Sequence, residues 1–193
     1  MQIMIENGLK GTTMDLVAAR LRISKRTLYE IFESKIDMLT AALDYVSRER
    51  TAEFEAVIKS ADNILEAILT IFDLHQKDLA LINVNFFRDM DRLYSMMRHR
   101  YDSQRRIREE YTRKIFMIGV EQGYFRNDLN YKILCRTLEI QMESLKRMEE
   151  LFPDDTSLVD IYKTITLTFL RGIVTPKGQE ILDKHYTDEN KIK

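Results

Sequence analysis

The chain has 193 residues, 45% of them hydrophobic, with two Pro, six Gly and a net charge of −1. That is the profile of a compact helical protein of one or two domains and not of a disordered chain. No apolar run approaches the roughly 20 residues that cross a bilayer, and a single cysteine, Cys135, allows neither an internal disulfide nor a thiolate metal cluster.

In chain order, residues 1–7 read as the back of a helix carrying Ile3, Met4 and Ile5, with Gly8 as its C-cap. Thr12 is placed to cap the next helix, with Asp15 three residues on to close a capping box. Leu16, Val17 and Ala19 supply its inward stripe, and it ends near Leu21. Arg22 and Ile23 make a turn, Ile23 filling the space between helices. Ser24 caps a second short helix that opens Lys25, Arg26, Thr27 and turns Leu28 and Phe32 inward. Two short amphipathic helices, a tight turn and a polar-basic opening on the second predict a helix-turn-helix. In that motif the side chains at this opening reach base edges in the major groove. Residues 9–35 carry Lys10, Arg20, Arg22, Lys25, Arg26 and Lys35 against Asp15, Glu30 and Glu33. A local cationic excess of this kind is the electrostatic footprint of duplex DNA binding, and equally that of a solvated helical surface.

Ser34 caps a helix beginning at Lys35, with Leu39, Leu43, Val46, Phe54, Val57 and Ile58 at helical spacing and a polar interruption over 47–51. The domain boundary is placed there, giving domains 1–47 and 48–193, without Gly or Pro to loosen it. Asp62 is expected to cap the next helix, with Leu65, Ile68, Leu69, Phe72, Leu79 and Ile82 inward, broken at 83–85. A shorter helix over 86–100 is dense in Phe and Met. The next spans 102–122, with Ile107, Tyr111, Ile115 and Ile118 facing in and Gly123 ending it. Helices over 130–152 and 156–172 follow, and Pro176 opens a last one at the position proline tolerates, ending near His185. Strand alternation is absent from the pattern.

Chemistry has little to stand on. His75, His99 and His185 are far apart, and the sequence has no nucleophile elbow, phosphate-cradling Gly loop or zinc-type Cys/His set. No catalytic residue, metal site or cofactor is assigned, and an enzyme is not expected. The Arg-rich run over 98–114 reads as a solvated helix face. A small-molecule pocket is the better candidate, since Met and aromatic side chains make adaptable walls. The nominated lining is His75, Asn83, Phe86, Phe87, Met90, Tyr94, Met97, Tyr111 and Gln141, with ordinary core as the alternative.

The spacing Gly8, Thr12-Thr13, Ile23-Ser24-Lys25, Thr27-Leu28-Tyr29, Phe32, Ser34-Lys35 and Leu39 resembles the amino-terminal domain of TetR/AcrR-type bacterial transcription regulators. Later in the chain, Glu121-Gln122-Gly123-Tyr124-Phe125-Arg126 looks like that family's helix-ending turn. The resemblance implies an all-α fold: a three-helix helix-turn-helix DNA-binding domain, its first helix truncated here, and a larger helical ligand-binding and dimerisation domain. It implies base-facing roles for Lys25, Arg26 and Thr27, and phosphate contacts for Thr13, Tyr29 and Lys35. It also implies that the last two long helices pair with a second copy through Leu138, Leu145, Met148, Leu158, Ile161, Ile165 and Phe169. The partners expected are a palindromic double-stranded DNA operator, an unidentified small-molecule effector and a second copy of the chain, with no membrane. A cytoplasmic location is expected because the start lacks a signal-peptide pattern. The expected function is a repressor released by the effector. The alternative is a helical ligand-binding or scaffold protein whose motif no longer binds DNA. Two positions depart from the family pattern. Arg22 stands where Gly is usual, and Ile31 where an aromatic residue or His often reaches a phosphate.

Overall fold

A computed structural model describes residues 2–82, 86, 89, 98–147, 151–152 and 155–189. Regular structure among them is helical, apart from one isolated antiparallel bridge between Phe125 and Val174. The all-α expectation holds. The chain divides into two units, Met1–Glu53 with Leu81–Arg98, and Phe54–Ala80 with His99–Lys193. The first border falls inside a continuous helix.

In the first unit, helix α1 (Gln2–Gly11) is bent at Gly8, whose φ of 67° suits a residue without a Cβ. Thr12 does not cap the next helix. It is fully buried, and its hydroxyl donates to the Gly8 carbonyl at 2.7 Å. A buried hydroxyl needs a partner, and the bend in α1 supplies one. Thr13 therefore caps α2 (Met14–Leu21), its Oγ1 accepting from the Leu16 N–H at 3.1 Å. The shift by one residue also turns the helix. Met14, Val17 and Ala18 are buried and Ala19 is exposed, correcting the expected stripe.

Arg22 follows α2 in the left-handed region (φ 56°, ψ 38°), its N–H bonded to the Ala18 and Ala19 carbonyls. Ser24 caps α3 (Lys25–Ile31) as expected, accepting the Thr27 N–H at 3.0 Å. Ser34 then caps α4 (Lys35–Ser60) through the Asp37 N–H, while the Asp37 carboxylate accepts the Glu33 N–H. The pair is a variant of the capping box, with the returning carboxylate taking the N–H one residue before the cap. The core joins Met4, Leu9, Met14, Val17, Ala18, Leu28, Met38 and Leu39 with Phe86.

In the second unit, α5 (Ile64–Leu81) is capped by Asn63, not Asp62, through the Glu66 N–H at 3.0 Å. The Ile64 N–H is taken by the Gln122 side chain at 2.9 Å. Helix α6 (Arg98–Glu121) presents a face other than the one its isoleucines suggest. Phe116 is 5% exposed, whereas Ile107 is 71% exposed and Tyr111 and Ile118 are also exposed. The larger ring wins the core, packing against Phe125, Tyr131 and Phe169 at centroid distances of 5.4–6.1 Å.

Gly123 (φ 78°) ends this turn, and the Tyr124 and Phe125 N–H groups both return to the Gly119 carbonyl. Helix α7 (Tyr131–Glu143), capped by Asn130, tightens into a 3₁₀ turn at Ser144–Arg147 and so does not run on as one helix to 152. Helix α8 (Leu158–Ile173) is capped by Ser157 and so begins two residues later than expected. Helix α9 (Pro176–Glu189) opens on Pro176 and runs past His185. The turn after α6 is stitched to the α8–α9 junction. Arg126 N–H donates to the Ile173 carbonyl at 2.8 Å, and Thr175 N–H to the Tyr124 carbonyl at 2.9 Å. The core beneath includes Leu65, Leu69, Phe116, Cys135, Leu170 and Leu182. No helix among the described residues is long and apolar enough to cross a membrane.

Candidate nucleic-acid interface

Helix α3 buries Leu28 and leaves Lys25, Arg26, Thr27 and Tyr29 exposed. The Ser24 and Thr27 hydroxyls share a 2.8 Å hydrogen bond that fixes the opening of the helix. Arg26 projects furthest, its side chain 90% exposed and its Nε 3.1 Å from Glu30 on the next turn. The Lys25 Nζ lies 2.7 Å from Asp15 at the start of α2, which brings the openings of the two helices together. The hydrogen bond to Asp15 raises the lysine pKa above its ordinary value. Thr13, also at the start of α2, is exposed while its oxygen serves as the cap.

Lys35 is seated against the end of α1, its Nζ donating to the Lys10 carbonyl at 2.8 Å. Burial lowers its pKa, and the nearby Asp89 carboxylate partly offsets that effect. Asp89 also accepts the Lys10 N–H at 2.8 Å. The sequence pattern marked Asp15 as a capping-box partner of Thr12 and not as a partner of Lys25, and did not mark Asp89. Only Asp15 carried a signal, as an acidic residue in the first turn of a helix beside a cationic one.

Four of the nine nominated pocket residues, His75, Phe86, Tyr111 and Gln141, lie among the described residues. Phe86 is buried in the core of the first unit. Tyr111 and Gln141 are exposed, and Asn83, Phe87, Met90, Tyr94 and Met97 lie outside the described residues. His75 is in the second unit, its Nδ1 3.0 Å from the Tyr162 hydroxyl and its ring edge-on to Phe54 at 4.8 Å. Tyr162 stacks on Phe72 at 5.3 Å, and burial pushes its phenol well above the usual range. Two residues before His75, Asp73 turns instead to His185 at 3.2 Å. Tyr162 escaped the sequence reading, although a hydroxyl beside Leu158 and Ile161 in an apolar stripe is the signal that finds it.

A surface concavity of about 580 Å³ is lined by Arg113, Met117, Val120, Leu129 and Tyr131, none of them a nominated pocket residue. Of the nominated interface residues, Leu145, Leu158 and Ile161 are buried within the chain itself. Leu138, Ile165 and Phe169 are partly buried, and Met148 lies outside the described residues. Ile133 and Ile140, seven residues apart on α7, stay 61% and 53% exposed. Among the described residues no group of three His, Cys, Asp or Glu side chains is placed to hold a metal.

The chain thus carries a capped helix-turn-helix with an exposed cationic opening and a larger helical unit. Residues 1–42 match the sequence model of "Bacterial regulatory proteins, tetR family". That match covers the helix-turn-helix head, which is similar to the amino-terminal domain of that family.

Solved structures share the fold over most of both chains. A regulatory protein TetR from Rhodobacter sphaeroides has a TM-score of 0.69 at 18% identity, over 90% of this chain and 94% of that one. A regulator from Saccharomonospora viridis in complex with choline gives 0.67 at 17%, over 90% and 92%. The regulator FadR from Bacillus subtilis in complex with stearoyl-CoA gives 0.65 at 15%, over 89% and 94%. No curated protein matches the chain.

Proposed function

We propose that this chain is a ligand-responsive cytoplasmic repressor that binds a palindromic DNA operator as a homodimer. The observation that carries the proposal is the exposed run Lys25, Arg26, Thr27 at the capped opening of α3. Each subunit places that opening in a major groove, while Thr13, Tyr29 and Lys35 contact phosphates. A two-fold assembly then requires symmetric half-sites on one face of the duplex. In the dimer, α7 and α8 pair with their copies. The exposed Ile133 and Ile140 favour α7 as the apolar contact.

The effector binds in the second unit; regulators of similar fold have been solved in complex with choline and with stearoyl-CoA. The His75–Tyr162 pair among Phe54 and Phe72 is the polar feature there that a ligand would meet. Helix α4, continuous over 26 residues and belonging to both units, carries the response. The effector shifts the DNA-binding equilibrium only by its difference in affinity for the two states.

Selection of bound duplexes from a random pool, at moderate salt, tests this reading. A palindrome should be enriched, and Lys25→Ala or Arg26→Ala should change the enriched sequence. Lys35→Ala should weaken all sequences alike and flatten the salt dependence by about one unit. The competing reading, a helical protein whose motif has lost DNA binding, draws on the protein partners that Lys25, Arg26 and Lys35 already have. Absence of any enriched sequence would leave that reading standing.

A further inference from the structure

We infer that Ser24 is a positioning residue and not only a helix cap. Its hydroxyl holds Thr27 with the threonine proton turned outward, as a donor to an acceptor atom of the duplex. This rests on the DNA-binding function proposed above and concerns the same face. The Ser24 Oγ accepts the Thr27 N–H at 3.0 Å and lies 2.8 Å from the Thr27 Oγ1. Both residues are exposed. Two hydroxyls that share one hydrogen bond spend one proton between them and leave the other for solvent or a ligand. The donor is thus a side-chain hydroxyl, not a backbone N–H at the start of α3.

Which proton is left follows from how hydrogen bonds polarise one another. An oxygen that already accepts a hydrogen bond becomes a stronger donor. The Ser24 Oγ already accepts a backbone N–H, so its own proton goes to the Thr27 Oγ1. The relay runs from the Thr27 N–H through the Ser24 hydroxyl to the Thr27 hydroxyl and ends on the threonine proton. The reverse order would make the Ser24 Oγ accept twice and forfeit the reinforcement. The same bond settles the side-chain rotamer, since a helical threonine otherwise divides its time with a turn back to the carbonyl of the preceding turn. Binding of a duplex leaves the pair intact, so the donor is oriented before the DNA arrives. The acceptors it fits are guanine O6 and N7, adenine N7, thymine O4 and the phosphate oxygens.

Loss of the serine also removes a cap, which weakens the helix whether or not DNA binds. The variants separate the two roles. Ser24→Gly keeps most of the capping strength and has no proton to give. Ser24→Thr keeps both the cap and the proton. Thr27→Val keeps the shape of the side chain and loses the hydroxyl. Wild type, these three and the Ser24→Gly, Thr27→Val double variant, all as full chains, are titrated with two duplexes over a salt series. One duplex is recovered by selection on the wild type, and the other is a scrambled duplex of equal length. Urea unfolding of each variant is measured alongside.

Thr27→Val should weaken the selected duplex by about two- to tenfold, the range one hydrogen bond represents. Ser24→Gly should weaken it by about two- to fivefold, within that range, and in the Thr27→Val background it should do nothing further. Ser24→Thr should bind as the wild type does. The salt dependence should stay the same throughout, because no charge changes. A loss confined to the selected duplex assigns the acceptor to a base edge, and an equal loss on both assigns it to a phosphate. Wild-type binding by Thr27→Val or by Ser24→Gly overturns the role of Ser24. So does a Ser24→Gly loss that persists without the Thr27 hydroxyl, or a Ser24→Thr loss as large as that of Ser24→Gly. Failure of the wild type to bind either duplex at low salt removes the DNA-binding function itself. Ser24→Asp, an equal cap without a proton, repeats the measurement should the glycine variant fold poorly, its added charge being cancelled by comparison in the Thr27→Val background.

Discussion

Gly119 and Phe125 lie so close that a methyl group on the glycine would stand 2.1 Å from the phenyl ring. The ring is 2% exposed and sits in the core of the second unit. Helix propensity alone would favour alanine at position 119 by about 1 kcal/mol. Overpacking of a buried ring costs about 1–3 kcal/mol, so Gly119→Ala should destabilise. A lowered urea midpoint is expected, and an unchanged or raised one would show that the ring moves aside freely.

Thr12→Val keeps the shape of the side chain and makes it more apolar. A site that is merely hydrophobic would gain from it. The Thr12 hydroxyl, however, donates to the Gly8 carbonyl in a buried setting. The expected result is a loss of about 1 kcal/mol in denaturant unfolding.

Arg22 is the non-glycine residue held at positive φ among the described residues. Glycine enters that region without a Cβ penalty, and β-branched residues enter it worst. Thermal melts should rank Arg22→Gly above wild type by about 0.5 kcal/mol, and wild type above Arg22→Val. The reverse order would mean that the turn relaxes when the side chain changes.

Alkaline pH should weaken the second unit. Burial pushes the Cys135 thiol from 9.0 up to about 11, and the Tyr131 phenol from 10.0 up to about 12. Between pH 9 and 11 the unfolded chain gives up the thiol proton while the folded chain keeps it. The unfolded state then binds fewer protons, so stability falls as pH rises and is intact below pH 9. Cys135→Ala should flatten the first part of that fall in unfolding curves taken across this range. An identical pH profile in the variant would place the loss elsewhere.

Features set by neighbours in sequence were legible. Ser24, Ser34, Asn130, Gly123 and Pro176 all act where local chemistry puts them. Features set by distant contacts were not. Thr12 and Thr13 are equally good caps on paper, and only the Gly8 carbonyl decides which one turns inward. Helix α6 carries apolar residues on more than one face, and Phe125, Tyr131 and Phe169 choose Phe116 over Ile107. For the candidate site, the exposure of Lys25, Arg26 and Thr27 followed from helical spacing around Leu28. Their acidic partners required the fold. Phe86 was nominated as a cavity wall because its neighbours in sequence are aromatic, and the fold buries it in one core cluster with Met4, Leu9 and Leu39.

The first unit is assembled from two stretches of chain, with Phe86 supplying core and Asp89 pinning the Lys10 N–H. A fragment ending at residue 53 would lack both and leave an unfilled apolar seat beneath its own helix-turn-helix. The helix-turn-helix head is therefore not a cassette that can be excised or grafted at a single cut, and a chimera must carry the later stretch with it.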